Sequence, residues 1–152
     1  MSVVIRIQAE DFDVAAETAA VAQGCADIGA AVAFTGLCRD EGGRLAALEL
    51  EHYPGMAEAE VARVVEEARL RWPLSGVTVI HRYGKIEPGQ NIVLVLTASA
   101  HRQAAFEAAA FLMDFLKTRA PFWKREHLKD GSTGHWVEAK STDAAAAARW
   151  EA

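Results

Sequence analysis

Two lysines, Lys117 and Lys124, flank a proline turn in the run Lys117-Thr118-Arg119-Ala120-Pro121-Phe122-Trp123-Lys124-Arg125-Glu126. A lysine amine becomes a useful proton donor, proton acceptor or nucleophile when burial or a neighbouring cation lowers its pKa. Phe122 and Trp123 offer an apolar wall for such a site, and Glu126 a carboxylate that orients a lysine or shares its proton. The same residues also read as a helix end whose basic side chains complement the negative pole of the helix, followed by a surface strand. Pattern alone leaves both readings open.

A second constellation is Ser99-Ala100-His101-Arg102, where an apolar strand hands over to a helix. A helix start offers unpaired N–H groups and partial positive charge. The planar guanidinium fork of Arg102 suits phosphate, and His101 adds a further donor. Basic side chains are unfavourable for the helix itself at that end, which points to a ligand; the alternative is that both face solvent or a nearby carboxylate. A third is Arg39, which follows Phe34-Thr35-Gly36-Leu37-Cys38. Gly36 lets a ligand or another backbone approach. Cys38 reads either as a thiol whose pKa is lowered beside Arg39 or as a small core residue.

Composition bounds what these residues can serve. With 152 residues, 51% hydrophobic and 24% charged, the chain has the balance of one globular domain spanning 1–152. The formal net charge is −5, which argues against a nucleic-acid partner, because phosphate neutralisation needs clustered Lys and Arg. Yet Lys117, Arg119, Lys124, Arg125 and Lys129 stand together against Glu126 alone, a pattern that fits a local anion site better than a polyanion track. An RNA-binding role for this basic segment is therefore disfavoured. No apolar run reaches the roughly 18 residues of a membrane span, and the first residues lack the pattern of a signal peptide. Cys25 and Cys38 are too few for a disulfide framework, so the cytoplasm is the expected compartment. The spacing of His52, His81, His101, His127 and His135 suggests no metal site, and phosphate-loop, dinucleotide and serine-nucleophile motifs are missing. No cofactor is expected.

The elements that must position these residues follow from periodicity. Val3 to Gln8 alternates as a strand. Asp11 to Ala22 reads as a helix capped by Asp11 or Asp13 and ended by Gly24. Ala30 to Gly36 reads as a buried strand, 39–44 as a polar loop with two glycines, and Leu45 to Tyr53 as a strand with Leu48, Leu50 and His52 on one face. Ala57, Val61, Val64, Val65, Ala68 and Trp72 recur at helical spacing until Pro73. Val77 to Tyr83 and Asn91 to Thr97 read as an antiparallel pair around a type II turn at Pro88-Gly89, with Ile92 to Leu96 a central strand. A long helix from His101 to about Thr118 precedes Pro121. Phe122 to His127 and His135 to Ala139 read as two further strands, and Ser141 or Thr142 as the cap of a last helix ending near Trp150. The fold class is α+β.

Taken in order, Phe34-Thr35-Gly36 with Arg39, Leu50-Glu51-His52-Tyr53-Pro54-Gly55-Met56, Arg71-Trp72-Pro73-Leu74, Val79-Ile80-His81-Arg82-Tyr83-Gly84, Ser99-Ala100-His101-Arg102 with Ala105-Phe106, and Leu116 to Glu126 resemble the molybdopterin synthase catalytic subunit family. The match runs from about Ala30 to Lys140. Each segment alone is weak; the ordered set is specific. The resemblance implies an α/β hammerhead-type core with an added antiparallel β subdomain. It implies a homodimer that holds a small ubiquitin-like subunit at each end, a heterotetramer. That small partner ends in a Gly-Gly thiocarboxylate, and two sulfur transfers convert cyclic pyranopterin monophosphate to the dithiolene of molybdopterin. By position, Lys117 and Lys124 match the catalytic lysines, Lys117 the more essential. Arg39, His101, Arg102, Arg125 and Glu126 match substrate-contacting positions, as do Leu37 and Cys38 just before Arg39, and the two lysines also contact substrate. Leu37 departs from the family, where a basic residue is common, and the loop with Gly42-Gly43 is short.

Helix geometry adds an expectation. Sixteen residues separate His101 from Lys117, about 24 Å along a continuous helix. A small pterin cannot touch both ends, so each pocket is expected at a subunit interface, with Lys117 and Lys124 from one chain and His101 and Arg102 from the other. Two competing readings are a sulfurtransferase that carries a persulfide on Cys38, and a non-catalytic module that docks a ubiquitin-like protein.

Overall fold

A computed structural model describes residues 1–119, 121–137 and 141–151. The elements run β1 (Ser2–Gln8), α1 (Val14–Ala22), β2 (Ala30–Leu37), a 3₁₀ turn (Glu41–Gly43), β3 (Leu45–His52), α2 (Met56–Arg71), β4 (Leu74–Arg82), β5 (Gly84–Ile86), β6 (Asn91–Ser99), α3 (Arg102–Thr118), β7 (Phe122–Leu128) and α4 (Ser141–Ala148). They form an α+β fold built on two sheets. The first has strand order β1-β4-β6-β2 and the second β5-β3-β7.

Period-two alternation explains the first sheet. Val77, Val79, Val93 and Val95 point to the face covered by α2 and α3, where they meet Val61 and Val65 of α2 and Phe111, Leu112 and Phe115 of α3. Their neighbours point the other way: Ile80 and Leu94 pack on Phe12, and Leu96 and Ala98 on Val21 of α1. β4 and β6, covered on both faces, are therefore continuously apolar. Each such side chain contributes about 1.5–3 kcal/mol by leaving water. β1 pairs with β4 in parallel, while β4 with β6 and β6 with β2 are antiparallel.

The helix ends follow their sequence signals. The Asp13 carboxylate accepts from the Ala16 amide at 3.1 Å and starts α1. Glu58 reaches back to the Gly55 amide at 2.6 Å at the head of α2. In the turn before β6 the Gln90 amide donates to the Glu87 carbonyl at 3.1 Å and Gly89 takes φ 89°, as a Pro-Gly turn requires.

Three expectations are corrected. Ala30 to Gly36 is not buried: β2 is an edge strand with Phe34 42% exposed, since small apolar residues there cover β6 on one side only. The interval between β4 and β6 holds a further strand, β5, which pairs with β3. The chain around His135 is no strand among the described residues; it touches β7 through single bridges, Lys124 with Val137 and His127 with Thr133. The end of that expected strand, 138–139, and the Ser141 and Thr142 side chains expected to cap α4 lie outside the described residues.

Candidate functional site

The second sheet is antiparallel throughout, and its register decides which side chains meet. Leu50 pairs with Lys124, Glu49 with Arg125 and Leu48 with Glu126. Leu48 and Leu50 face a small core containing Cys38, Leu45 and Ile86. Alternation therefore directs Lys124 and Glu126 to that inner face and Arg125 and His127 to the outer one. Both backbone groups of Lys124 bond to Val137: its amide donates to the Val137 carbonyl at 3.1 Å, and its carbonyl accepts the Val137 amide at 2.7 Å.

Lys117 arrives from elsewhere. It sits in the last turn of α3, beyond the buried Phe115 and Leu116. That end of the helix overhangs the gap between the two sheets. The result is a cleft of about 1050 Å³, lined by Lys117, Thr118 and Met113 from α3, by Leu48 and Leu50 from β3, by Trp123 to Glu126 from β7, and by Leu37 at the end of β2 with Cys38 and Arg39 just after it. Among the described residues, Arg39, Arg44, Lys117, Arg119, Lys124 and Arg125 line it with six basic side chains, against the one lining carboxylate of Glu126. On a chain of net charge −5, so local a positive excess marks a site for an anion.

Of the nine site residues expected from sequence, seven line this cleft, and His101 and Arg102 do not. Those two lie at the opposite end of α3, both exposed. One chain by itself does not bring them to Lys117, as the length of the helix requires. Leu37 is 56% exposed at the cleft edge, turned outward by a bulge between Gly36 and Leu37. The neighbour that Gly36 admits is the Val93 side chain, which an added Cβ would meet at 2.7 Å, rather than a ligand.

Of the two readings of Cys38, the structure favours the small core residue. It is 3% exposed within the apolar core of the second sheet. Burial, with a smaller push from the Asp40 charge, raises its thiol pKa, so the reading of a thiol activated beside Arg39 does not hold. Arg125 is already engaged: its Nε donates to Glu49 Oε1 at 3.0 Å, and its guanidinium lies 4.4 Å from the Trp136 ring centre. His127 Nε2 lies 2.7 Å from the same Glu49 oxygen. These partners, His127 first and then Arg125, hold the Glu49 carboxyl below its ordinary pKa.

Sequence reasoning missed His81 on the cleft floor. It continues the inward row Val77, Val79 and is 9% exposed. Its Nδ1 lies 2.8 Å from the Arg82 carbonyl and its ring stacks on Phe122. Burial, opposed by that hydrogen bond and reinforced by the charge of Lys117, lowers its pKa to about 4. The signal was available: a titratable residue in phase with the buried side of a strand. His52, 4.6 Å from the Tyr83 ring centre, has a buried Nδ1 with no hydrogen-bond partner among the described residues. Among the described residues no group of three His, Cys, Asp or Glu side chains gathers as a metal site would need.

Known proteins resemble this chain in sequence and fold. The family model described as MoaE protein matches residues 7–119. The molybdopterin synthase catalytic subunit of Mesorhizobium japonicum is 72% identical over 147 residues, 97% of this chain and 92% of the relative. The solved molybdopterin biosynthesis MoaE protein of Burkholderia ambifaria superposes with a TM-score of 0.85 at 48% identity, over 100% of this chain and 99% of that one. A complex of subunits 1 and 2 of molybdopterin-converting factor from Helicobacter pylori shares the fold, with a TM-score of 0.70 at 19% identity over 91% of this chain and 90% of that one.

Proposed function

The chain belongs to the MoaE protein family, and from that premise we propose that its cleft transfers sulfur from the C-terminal thiocarboxylate of a small ubiquitin-like subunit to cyclic pyranopterin monophosphate, forming the dithiolene of molybdopterin. The observation that carries the reading is the meeting of Lys117 and Lys124, from a helix end and a separate sheet, in one electropositive cleft.

The chemistry suits those groups. The pterin carries a phosphate and its reaction develops further negative charge. Arginine forks bind such groups by charge-assisted hydrogen bonds. A thioacid is already a nucleophile near neutral pH, so an inert, buried Cys38 is no obstacle. The lysine ammoniums serve as proton donors to the oxygens that leave or gain charge, and as amines they take protons back. Pockets for one small molecule measure roughly 300–1,000 Å³; about 1050 Å³ leaves room for a narrow peptide tail beside the pterin. The Helicobacter pylori neighbour is a two-subunit complex, which supports such a partner here.

His101 and Arg102 enter from a second copy of the chain, so that each site is completed in a homodimer and the assembly with the small subunit is a heterotetramer. The span of α3 supports this. The cleft draws on both sheets, which supports treating 1–152 as one functional unit. A cytoplasmic location fits the biosynthetic role named for the solved relative; among the described residues no helix is long and apolar enough to cross a membrane.

The test is incubation of the chain with thiocarboxylated small subunit and pterin precursor, followed by detection of dithiolene. Product with the wild-type chain and none with the Lys117→Ala variant is expected. A complex that binds the small subunit yet forms no product would leave only a docking role.

A further inference from the structure

Glu49 is a partly buried carboxylate that the chemistry above does not use. It stands on β3 directly across from Arg125 on β7. Its Oε1 accepts from Arg125 Nε at 3.0 Å, and His127 Nε2 lies 2.7 Å from the same oxygen. A carboxylate only accepts, so that nitrogen of His127 is an N–H donor. The Trp136 ring covers the Arg125 guanidinium at 4.4 Å. With Nε taken, no other hydrogen bond or ion pair reaches the guanidinium among the described residues. The Nη1–Nη2 edge is left as two parallel donors, the arrangement to which a phosphate binds bidentately.

We propose that Glu49 is a positioning residue: by holding Arg125 Nε it presents the two Nη groups of Arg125 to the phosphate of the pterin substrate. The inference deepens the proposed function and rests on it for the identity of the anion. Lys124 and Arg125 leave β7 on opposite faces, so the fork lines the cleft without sharing the amine's side of the strand. The thiocarboxylate must reach the carbon that gains sulfur, where the lysines act. The phosphate is the anion of the substrate itself, and it suits a fork set apart from the amines. An arginine side chain has many rotamers to lose. A brace at Nε and a ring over the guanidinium select one placement before the anion arrives. The ion pair is partly exposed, with side chains 33% and 20% accessible, and such pairs add little stability. What Glu49 supplies is geometry.

Glu49→Ala should raise the KM for cyclic pyranopterin monophosphate roughly fivefold, with kcat within about twofold of wild type. Glu49→Gln keeps an oxygen for the Nε donor and should recover most of that loss. Arg125→Ala should raise KM at least as far as Glu49→Ala. Adding Glu49→Ala to it should change nothing further, because the brace acts only through the arginine. Modification of Arg125 by phenylglyoxal, read by peptide mass spectrometry, needs no turnover. Inorganic phosphate should slow it in the wild-type chain and slow it less in Glu49→Ala. Additive rises in the double variant would overturn the proposal, as would a Glu49→Ala chain with unchanged KM and unchanged phosphate protection. A loss confined to affinity for the small subunit would also overturn it, by putting the partner at the fork. Should Glu49→Ala not fold, Trp136→Leu removes the ring from the same guanidinium and takes the same tests, with the same results expected. A wild-type chain that forms no dithiolene would defeat the proposed function, while phosphate protection of Arg125 would still decide whether Glu49 sets an oxyanion fork.

Discussion

The rings of His81 and Phe122 lie face to face, their centroids 3.8 Å apart and their planes 15° from parallel. One ring belongs to β4 of the four-stranded sheet and the other to β7 of the three-stranded sheet. Their contact ties the two sheets at the floor of the cleft, two residues from Lys124. The distance between the two lysines thus depends on an aromatic pair that neither lysine touches in sequence.

Removal of either amine should be severe for turnover and mild for the fold. Lys117→Ala and Lys124→Ala should each lower kcat by roughly 10²–10⁴-fold, the range for loss of a positioned acid or base, with Lys117 the larger loss. Lys117 is exposed, so its thermal midpoint should move little. Dithiolene assays beside thermal melts check both.

Cys38→Ser should leave turnover within about twofold of wild type while lowering stability by roughly 1–3 kcal/mol, because a hydroxyl replaces a thiol among Leu45, Leu50 and Ile86. A persulfide mechanism requires the opposite: intact stability is irrelevant to it and sulfur transfer stops. Denaturant titration and the dithiolene assay together decide.

His81 makes the fold acid-sensitive in a defined window. Its pKa falls from 6.5 to about 4 on folding, burial being the main cause. Between those values the unfolded chain binds the proton and the folded chain does not, so stability declines as pH drops through this window, by at most about 1.4 kcal/mol per unit, and levels off below it. Above pH 6.5 both states are neutral and the group contributes no slope. Denaturation at pH 7, 6 and 5 should show a shallower decline in His81→Asn than in wild type.

Complementation tests the shared site. Lys117→Ala and Arg102→Ala chains should each be nearly inactive alone. Mixed and allowed to exchange, half the dimers pair the two kinds, and one of their two sites is intact, so about a quarter of wild-type activity should return. No recovery after verified exchange would put both residues in one chain's site or Arg102 outside it.

Much of this architecture can be read from periodicity. Val77, Val79, Val93 and Val95 against Ile80, Leu94 and Leu96 mark a sheet covered on both faces, and the helices stop at Pro73 and before Pro121 as their chemistry demands. β5 escaped because Gly84-Lys85-Ile86 is too short to show a period. Ala30 to Gly36 reads as a buried strand from its small apolar residues, whereas strand order, which puts β2 at the edge, is a long-range property. The cleft is harder still. Its walls come from residues as far apart as Leu37 and Val137, and no local pattern links them. Residue chemistry marks Lys117 and Lys124 but leaves them open between a site and a helix end; the ordered set of motifs favours the site, and neither route picks out His81, whose neighbours look like core.

The polar stretch after β2 has two fixed feet. Cys38 is held by its amide to the Gln90 carbonyl at 2.9 Å and by its carbonyl to the Gly89 amide at 2.7 Å. At the far end the Arg44 carbonyl takes the Lys129 amide at 2.9 Å, and Asp40 Oδ1 accepts the Leu45 amide at 3.0 Å. Between them Gly42 and Gly43 both take positive φ. The stretch is a bridge span whose abutments do not move when the deck is lengthened: residues can be inserted at the glycine pair while Arg39 and Arg44 keep their stations. Evolution or an engineer can therefore vary that span to suit what approaches the cleft without resetting the cations inside it.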